Sequence, residues 1–158
     1  MKELLVRDAK SGRVAWLGVR PQRDVPMDVV DAVQLRPDEG IVGDRYRGRW
    51  NGARQVTLIQ MEHLPVIAAL AQCGEVRPET LRRNVVVEGI NLLSLVNSDF
   101  AVGGAMLHGT GRCHPCSKME TALGLGGYNA MRGHGGITAR VVEPGVVRIG
   151  DAVTRGGR

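Results

Sequence analysis

The chain has 158 residues, of which 43% are hydrophobic, and it carries a formal net charge of +5. This size and composition suit one compact core, so we expect a single domain over residues 1–158. Charges interrupt residues 1–8 before a signal-peptide core could form, and the longest apolar run, residues 64–71, is too short to span a bilayer. We therefore expect a cytoplasmic protein without a membrane anchor.

Arginine supplies most of the positive charge, since only Lys2, Lys10 and Lys118 are lysines among 21 basic residues. The planar guanidinium suits phosphate and carboxylate, so this balance favours anion recognition, although a coding bias toward arginine would give the same composition. Two Trp, two Tyr and one Phe are too few for a base-stacking surface. A nucleic-acid partner is therefore not expected.

Short runs rich in valine and isoleucine alternate with glycines along the chain, a pattern typical of strands and tight turns. It predicts a mainly β, barrel-like fold with one longer helix and one or two short helices. The Glu143-Pro144-Gly145 turn is predicted to close a hairpin, because proline fixes φ and glycine accepts positive φ. The predicted strands are 14–20, 29–35, 54–60, 85–88, 105–110, 138–142, 146–149 and a terminal stub at 152–154.

The longer helix is predicted over residues 61–72, where apolar residues recur at steps of three and four and Cys73-Gly74 gives a stop signal. Pro65 falls in its first turn, where proline is tolerated. A short helix is predicted from Ser117, with Glu120 as its capping-box partner. Cys116 would then stand immediately before a helix.

The segment Arg112-Cys113-His114-Pro115-Cys116 is the first candidate site. The pKa of a thiol falls near cations or at a helix start, and Cys116 has Arg112 and Lys118 close by in sequence. Three other interpretations of the cysteine pair remain open. These are a zinc site with His114 and His108, a redox dithiol, and two inert buried cysteines.

Three further segments could bind an anion or a cofactor. In residues 40–54, glycines allow close approach and Arg45 and Arg54 supply charge, although a solvated loop with Asp44 capping a turn has the same composition. Arg82 and Asn84 precede an apolar strand and would share one side, with Arg83 on the other, although an exposed strand start would look the same. His134, in a glycine-rich approach to a strand, could titrate or donate to a ligand.

Taken in order, four segments resemble the MOSC domain, named for the C-terminal domain of molybdenum-cofactor sulfurase, in its small stand-alone bacterial form. The best-matching core runs over about residues 40–153. The segments are EGIVGDR with RQVTLIQ, LRRNVVVEGINLLSL, FAVGGAMLHGTGRCHPCSKME and GGITARVVEPGVVRIGD.

The resemblance implies a β-barrel that binds a molybdopterin-type molybdenum cofactor. Cys116 matches the cysteine that ligates molybdenum or carries sulfur, and the additional Cys113 is its rival for that role. Arg82 and Asn84 match the Arg-x-Asn pair that holds the pterin. The pterin phosphate needs cationic partners, for which the candidates are Arg45, Arg54, Arg112, Lys118 and His134.

The activity implied is reduction of N-hydroxylated small molecules or the carriage of sulfur or cofactor. The chain has no iron–sulfur or pyridoxal-phosphate module, so any redox or sulfur-donor partner would be a separate protein. The alternative is a non-catalytic β-barrel that binds an anionic ligand through its arginines.

Overall fold

The computed structural model describes residues 1–46, 48 and 52–156 of the chain. Strands dominate this part, with short 3₁₀ helices at Lys2–Val6 and Leu92–Leu95. In chain order its strands and helices are β1 (Gly12–Val19), β2 (Asp28–Val30), β3 (Ala32–Arg36), β4 (Gly40–Ile41), β5 (Val56–Gln60), α1 (His63–Ala71), α2 (Pro78–Leu81), β6 (Val85–Glu88), β7 (Asp99–Val102), β8 (Ala105–Arg112), α3 (Ser117–Leu123), α4 (Gly127–Met131), β9 (Ile137–Glu143), β10 (Gly145–Arg148) and β11 (Ala152–Arg155).

Seven strands close into a barrel in the order β1, β11, β7, β8, β9, β5 and β6, with β6 pairing back to β1. Neighbours around the ring are antiparallel except β5 and β6, which are parallel. β2 pairs with β1 outside the ring, and β10, β3 and β4 form a second sheet. The mainly β, barrel-like fold predicted from the sequence is confirmed.

β5 is buried at every position because it has apolar material on both faces. Leu58 points into the main core inside the barrel, with Phe100 and Leu107. Ile59 belongs to a second cluster, which includes Ile67 of α1 and Met131 of α4. A strand covered on both sides carries a continuous apolar run instead of an alternating one. The helices therefore cover the outside of the barrel at β5 and β6.

Two predicted connections are wrong. The strand predicted at 29–35 is two strands in different sheets, β2 against β1 and β3 against β10. The turn at Glu143-Pro144-Gly145 does not close a hairpin, because β9 pairs with β8 and β5 whereas β10 pairs with β3. The turn therefore passes the chain from the barrel to the second sheet.

The helix predicted at 61–72 is α1, and the helix predicted from Ser117 is α3, with Cys116 as its N-terminal flanking residue. The predicted capping box is wrong, because no side chain caps α3. Glu120 instead accepts hydrogen bonds from the amides of Gly126 and Tyr128, at 2.8 and 3.0 Å, and so holds the start of α4. None of the described helices is long and apolar enough to cross a membrane.

Candidate functional site

The cysteine segment follows directly on β8 and places its two thiols in different surroundings. The amide of Cys113 donates to the Gly136 carbonyl oxygen at 2.9 Å, and Cys113 is only 4% exposed. Cys116 is exposed and stands just before α3. Both cysteines are free. Solvent therefore reaches Cys116 directly, whereas Cys113 lies in the wall of a cavity.

This cavity has a volume of about 500 Å³. Its wall includes Cys113, Tyr128 of α4 and parts of residues 133–136, which we call the glycine loop. The exposed Arg112 and Arg132 also line it. Small-molecule sites typically occupy roughly 300–1,000 Å³, so the cavity can admit a small ligand or one end of a larger one. The two arginines favour an anionic group there.

Two glycines let the glycine loop pack directly against the barrel. Gly136 has φ of +87°, and a Cβ there would clash with the Leu58 carbonyl oxygen of β5. A Cβ at Gly135 would clash with the carbonyl oxygen of Cys113. Only glycine gives both the positive φ and the backbone-to-backbone approach. The loop thereby fixes the backbone of Cys113 at the cavity wall.

His134, also in the glycine loop, turns its ring toward α1. It meets the ring of His63 edge to face, with 5.4 Å between ring centroids and 75° between the planes. Burial and then the neighbouring His134 lower the pKa of His63, while Glu62 opposes the shift. The predicted contact between His134 and a cofactor stays a prediction. In the structure the cavity is lined by its neighbours Gly133 and Gly135.

Arg82, Arg83 and Asn84 lie between α2 and β6, and their side chains go to three different places. Arg82 has φ of +57°, a left-handed conformation that ends α2 and turns the chain toward β6. Its guanidinium donates to the carbonyl oxygens of Val25 and, at 3.0 Å, Gln22. Arg82 therefore holds the loop between β1 and β2.

Lys118 of α3 reaches the same loop, donating to the Asp24 carboxylate at 3.0 Å. That contact, with other nearby cations, holds the pKa of Asp24 below its ordinary value. Burial and then the charges of Arg20 and Arg45 lower the pKa of Arg82. Three of the predicted cofactor-binding cations, Arg45, Arg82 and Lys118, therefore lie around one loop.

Asn84 lies at the centre of a buried set of polar contacts that we call the aspartate network: Arg20, Asp44, Thr57 and Asn84. Asn84 is 0% exposed and donates both of its amide hydrogens, to the Gly18 carbonyl oxygen and to Asp44 Oδ1, each at 3.1 Å. Its Oδ1 accepts from the Thr57 hydroxyl at 3.0 Å. The predicted pterin contact of Asn84 stays a prediction, and in the structure this side chain braces the barrel.

Asp44 is the anion of the aspartate network. Arg20 donates to its two carboxylate oxygens at 3.1 and 2.7 Å, and the amide of Tyr46 donates at 3.2 Å, an Asx-type turn. Burial raises the pKa of Asp44, but the hydrogen bonds and charge of Arg20 outweigh it, so the pKa lies below its ordinary value. Asp44 thus caps a turn, as one interpretation held, and also pairs with Arg20, which sequence reasoning missed.

Arg83 is the second residue that sequence reasoning missed. It is 7% exposed, and it donates from Nε to the Gly135 carbonyl oxygen at 2.9 Å and from Nη1 to the Leu81 carbonyl oxygen at 2.8 Å. Its buried Nη2 has no hydrogen-bond partner among the residues described. Burial lowers the pKa of Arg83, and Cys113 and then Cys116 oppose that shift. Arg83 therefore joins the end of α2 to the glycine loop, with both cysteines near enough to interact with its charge.

Arg45 and Arg54 are the cations predicted from residues 40–54. The amide of Arg45 donates to the Arg20 carbonyl oxygen at 2.6 Å, which ties its backbone to the end of β1. Arg54 is exposed, and its charge contributes to lowering the pKa of Arg83. Arg47 and Arg49, in the centre of this segment, lie outside the described residues.

Within residues 1–46, 48 and 52–156, no three or more His, Cys, Asp and Glu side chains form a group that could hold a metal ion. His108, a candidate zinc ligand, contacts Asp99 through Nδ1 at 2.7 Å instead. The zinc interpretation of the cysteine segment therefore gains no support from the part of the chain that the structure describes.

Comparisons with known proteins agree with the fold. The MOSC domain family matches residues 37–154. The YuaD protein from Bacillus subtilis is 22% identical with a TM-score of 0.79, over 91% of this chain and 94% of that one. The YiiM proteins from Geobacillus stearothermophilus and Escherichia coli are 15% and 19% identical, with TM-scores of 0.74 and 0.70. They are matched over 93% and 92% of this chain and 76% and 70% of their own. No curated protein sequence matches.

Proposed function

This chain belongs to the MOSC domain family, and on that premise we propose that it binds a molybdopterin-type molybdenum cofactor beside its cysteine segment. Cys116 is the proposed metal ligand or sulfur-carrying thiol, with Cys113 as its rival. The observation that carries the proposal is an exposed thiol close to a cavity and to a group of arginines. The site would work in a reducing cytoplasm, because all three cysteines are free.

The residues present fit such a cofactor chemically. Thiolate sulfur is a soft ligand, suited to a metal that dithiolene sulfurs already hold. The pterin phosphate needs charged donors, and Arg45, Arg82 and Lys118 surround one loop near Cys116. Arg54, Arg112 and His134 are the further proposed contacts, of which Arg112 lines the cavity. Asn84 would act by holding the backbone next to Arg82.

In this proposal the protein binds, orients and shields, and the hard chemistry belongs to the cofactor. When bound, the cofactor would supply a metal that takes oxygen from an N-hydroxylated compound or accepts sulfur. Reduction of an N–OH group to N–H and water consumes two electrons and two protons, so a separate redox protein must deliver the electrons. A sulfur-carrier role would need a separate sulfur donor instead.

Metal analysis of cysteine variants tests the proposal directly. The wild type, Cys116→Ala, Cys113→Ala and the control Cys73→Ala are each expressed with an intact and with a disabled cofactor pathway. We expect molybdenum in the wild type and in Cys73→Ala only when the pathway is intact, and a loss in Cys116→Ala. Loss in Cys113→Ala alone transfers the role to that thiol. Full retention by both variants refutes a thiol ligand.

An amidoxime probe separates the two activities. Turnover of the probe by the loaded protein with a chemical electron donor supports the reductase. A loaded protein without turnover that passes sulfur or cofactor to an acceptor protein supports the carrier.

A non-catalytic barrel that binds an anion is the second candidate, favoured by Arg112 and Arg132 at the cavity. It predicts an affinity that falls with salt concentration and is indifferent to Cys116→Ala.

A further inference from the structure

Arg83 carries a positive charge into the interior of the protein without an acid to balance it. In the described part of the chain no carboxylate pairs with this 7%-exposed residue, and its Nη2 lacks a hydrogen-bond partner. A buried charge without a partner is unfavourable, because neither water nor a counter-ion offsets it. The nearby charges of Arg20 and Arg54 make its position still less favourable. Such a group needs an explanation.

The position of Nη2 supplies one. Gly135 accepts the hydrogen bond from Arg83 Nε and also lines the cavity. A Cβ placed on Gly135 would lie 3.2 Å from Nη2, so the free donor is directly behind the backbone of the cavity wall. The carbonyl of Cys113 packs against the same glycine. A charge this close, in a wall poorly screened by water, acts strongly on whatever occupies the cavity.

We propose that Arg83 is the buried countercharge for a small anionic group that binds at the Gly135 and Cys113 side of the cavity. The exposed Arg112 and Arg132 draw the anion toward the opening, and Arg83 retains it from behind the wall. This inference deepens the proposed function, and rests on it for the identity of the anion in the cell. It adds that the group beside Cys113 is negatively charged. Because Arg83 has no ion-pair partner among the described residues, its charge remains available to the anion.

Sulfate is a suitable probe, because it is a small dianion and needs no cofactor. The full-length protein without cofactor is titrated with sulfate at constant ionic strength, with chloride as the balancing ion. Backbone NMR signals of Cys113, Gly135 and Gly136 report binding. We expect saturable shifts in the wild type and an affinity at least about tenfold weaker in Arg83→Met, which corresponds to roughly 1.4 kcal/mol.

Arg36→Met is the matched control, because it removes the same charge from an exposed arginine that pairs with Asp38 and Glu39. It should bind sulfate as the wild type does. Equal affinity in Arg83→Met and the wild type overturns the proposal. Absence of saturable shifts at these three amides in the wild type does so as well.

A second comparison keeps the test decisive if Arg83→Met does not fold. Dimethyl sulfone is a neutral molecule of similar size and shape to sulfate. The wild type should bind sulfate and not the sulfone, and equal binding of the two would show that charge is not what the site recognises.

The proposal for the countercharge and the proposal for the cofactor can also fail separately. Sulfate binding that depends on Arg83 in a protein that never acquires molybdenum supports the former alone, and molybdenum held through Cys116 with sulfate binding indifferent to Arg83 supports the latter alone.

Discussion

Arg83 and Asn84 are neighbours in the chain and both are buried, yet their polar atoms are treated in opposite ways. Asn84 has partners for both amide hydrogens and for its oxygen, and in the aspartate network around it Arg20 balances the charge of Asp44. Arg83 keeps one nitrogen without a partner and has no acid beside it in the described residues. Buried polar groups that are fully paired stabilise a fold, whereas an unpaired one is retained at a cost. Asn84 therefore stabilises the fold, whereas the unpaired nitrogen of Arg83 is the feature on which the proposed anion site depends.

The largest expected effect comes from disrupting the aspartate network. Asp44→Ala should lower the free energy of unfolding by about 3–5 kcal/mol, because it leaves Arg20 without its anion and one buried amide hydrogen of Asn84 without an acceptor. Urea unfolding followed by circular dichroism measures it. Asp38→Ala is the control, since Asp38 pairs with Arg36 on the surface, and it should change stability by less than about 1 kcal/mol. Similar losses in both variants would contradict the distinction.

A second variant tests the packing of the glycine loop, whose Gly135 accepts a hydrogen bond from Arg83. Gly136→Ala should lower the free energy of unfolding by about 2–4 kcal/mol, because alanine there combines an unfavourable positive φ with a clash against the Leu58 carbonyl oxygen. Gly133→Ala is matched, since its φ is +83° but no heavy atom lies within 4 Å of its added Cβ. It should lose only about 1 kcal/mol. Thermal unfolding of the pair measures the difference, and equal losses would show that the glycine loop is free to move away from β5.

The sequence predicts the barrel well and its connections less well. Runs such as Val85–Glu88 are apolar and bounded by turn residues, so they are found by pattern alone. The pairing of β10 with β3, far apart in the sequence, cannot be read from the turn at Glu143-Pro144-Gly145, because a turn fixes a local reversal and not the partner strand. Short elements such as β4 and α2 carry too few residues for a periodic signal.

In the candidate site, too, some features can be predicted from local sequence signals and others depend on tertiary structure. The cysteine segment and its place before α3 follow from local signals, whereas the packing of the glycine loop against β5 depends on tertiary contacts. Arg83 could not be assigned, because its neighbours are in tertiary structure and the left-handed conformation of Arg82 breaks strand-like alternation. The pairing of Arg20 with Asp44 joins residues 24 positions apart and has no sequence signature.

Acid should weaken the aspartate network specifically. The pKa of Asp44 lies below its ordinary value of 3.8, so its contribution to stability is complete above that value and is lost as pH falls through the lower pKa of the folded protein. Between pH 4 and lower values, the wild type should therefore lose stability faster than Asp44→Asn, which has no carboxyl group to protonate. The stability that the wild type loses on acidification through this group should be smaller than the stability lost in Asp44→Ala. Denaturant unfolding over this pH range measures both slopes, and parallel slopes would mean that Asp44 contributes nothing to acid unfolding.

The smallest expected effect concerns the glycine loop, through His63 and His134. The pKa of His63 is below its ordinary value of 6.5, chiefly because of burial and then because of His134. The unfolded chain therefore binds the proton more readily, so stability is complete above pH 6.5 and declines as pH falls from there toward the pKa of the folded protein. His63→Asn should flatten this slope between pH 7 and 5, because it removes the half-buried ring that lies against His134 of the glycine loop. If the slope survives in His63→Asn, the contact between the two rings does not couple the loop to pH. If the slope disappears in His63→Asn, the amide signals of Gly135 and Gly136 in the wild type should also shift over this pH range. These glycines share one short loop with His134, beside Arg83.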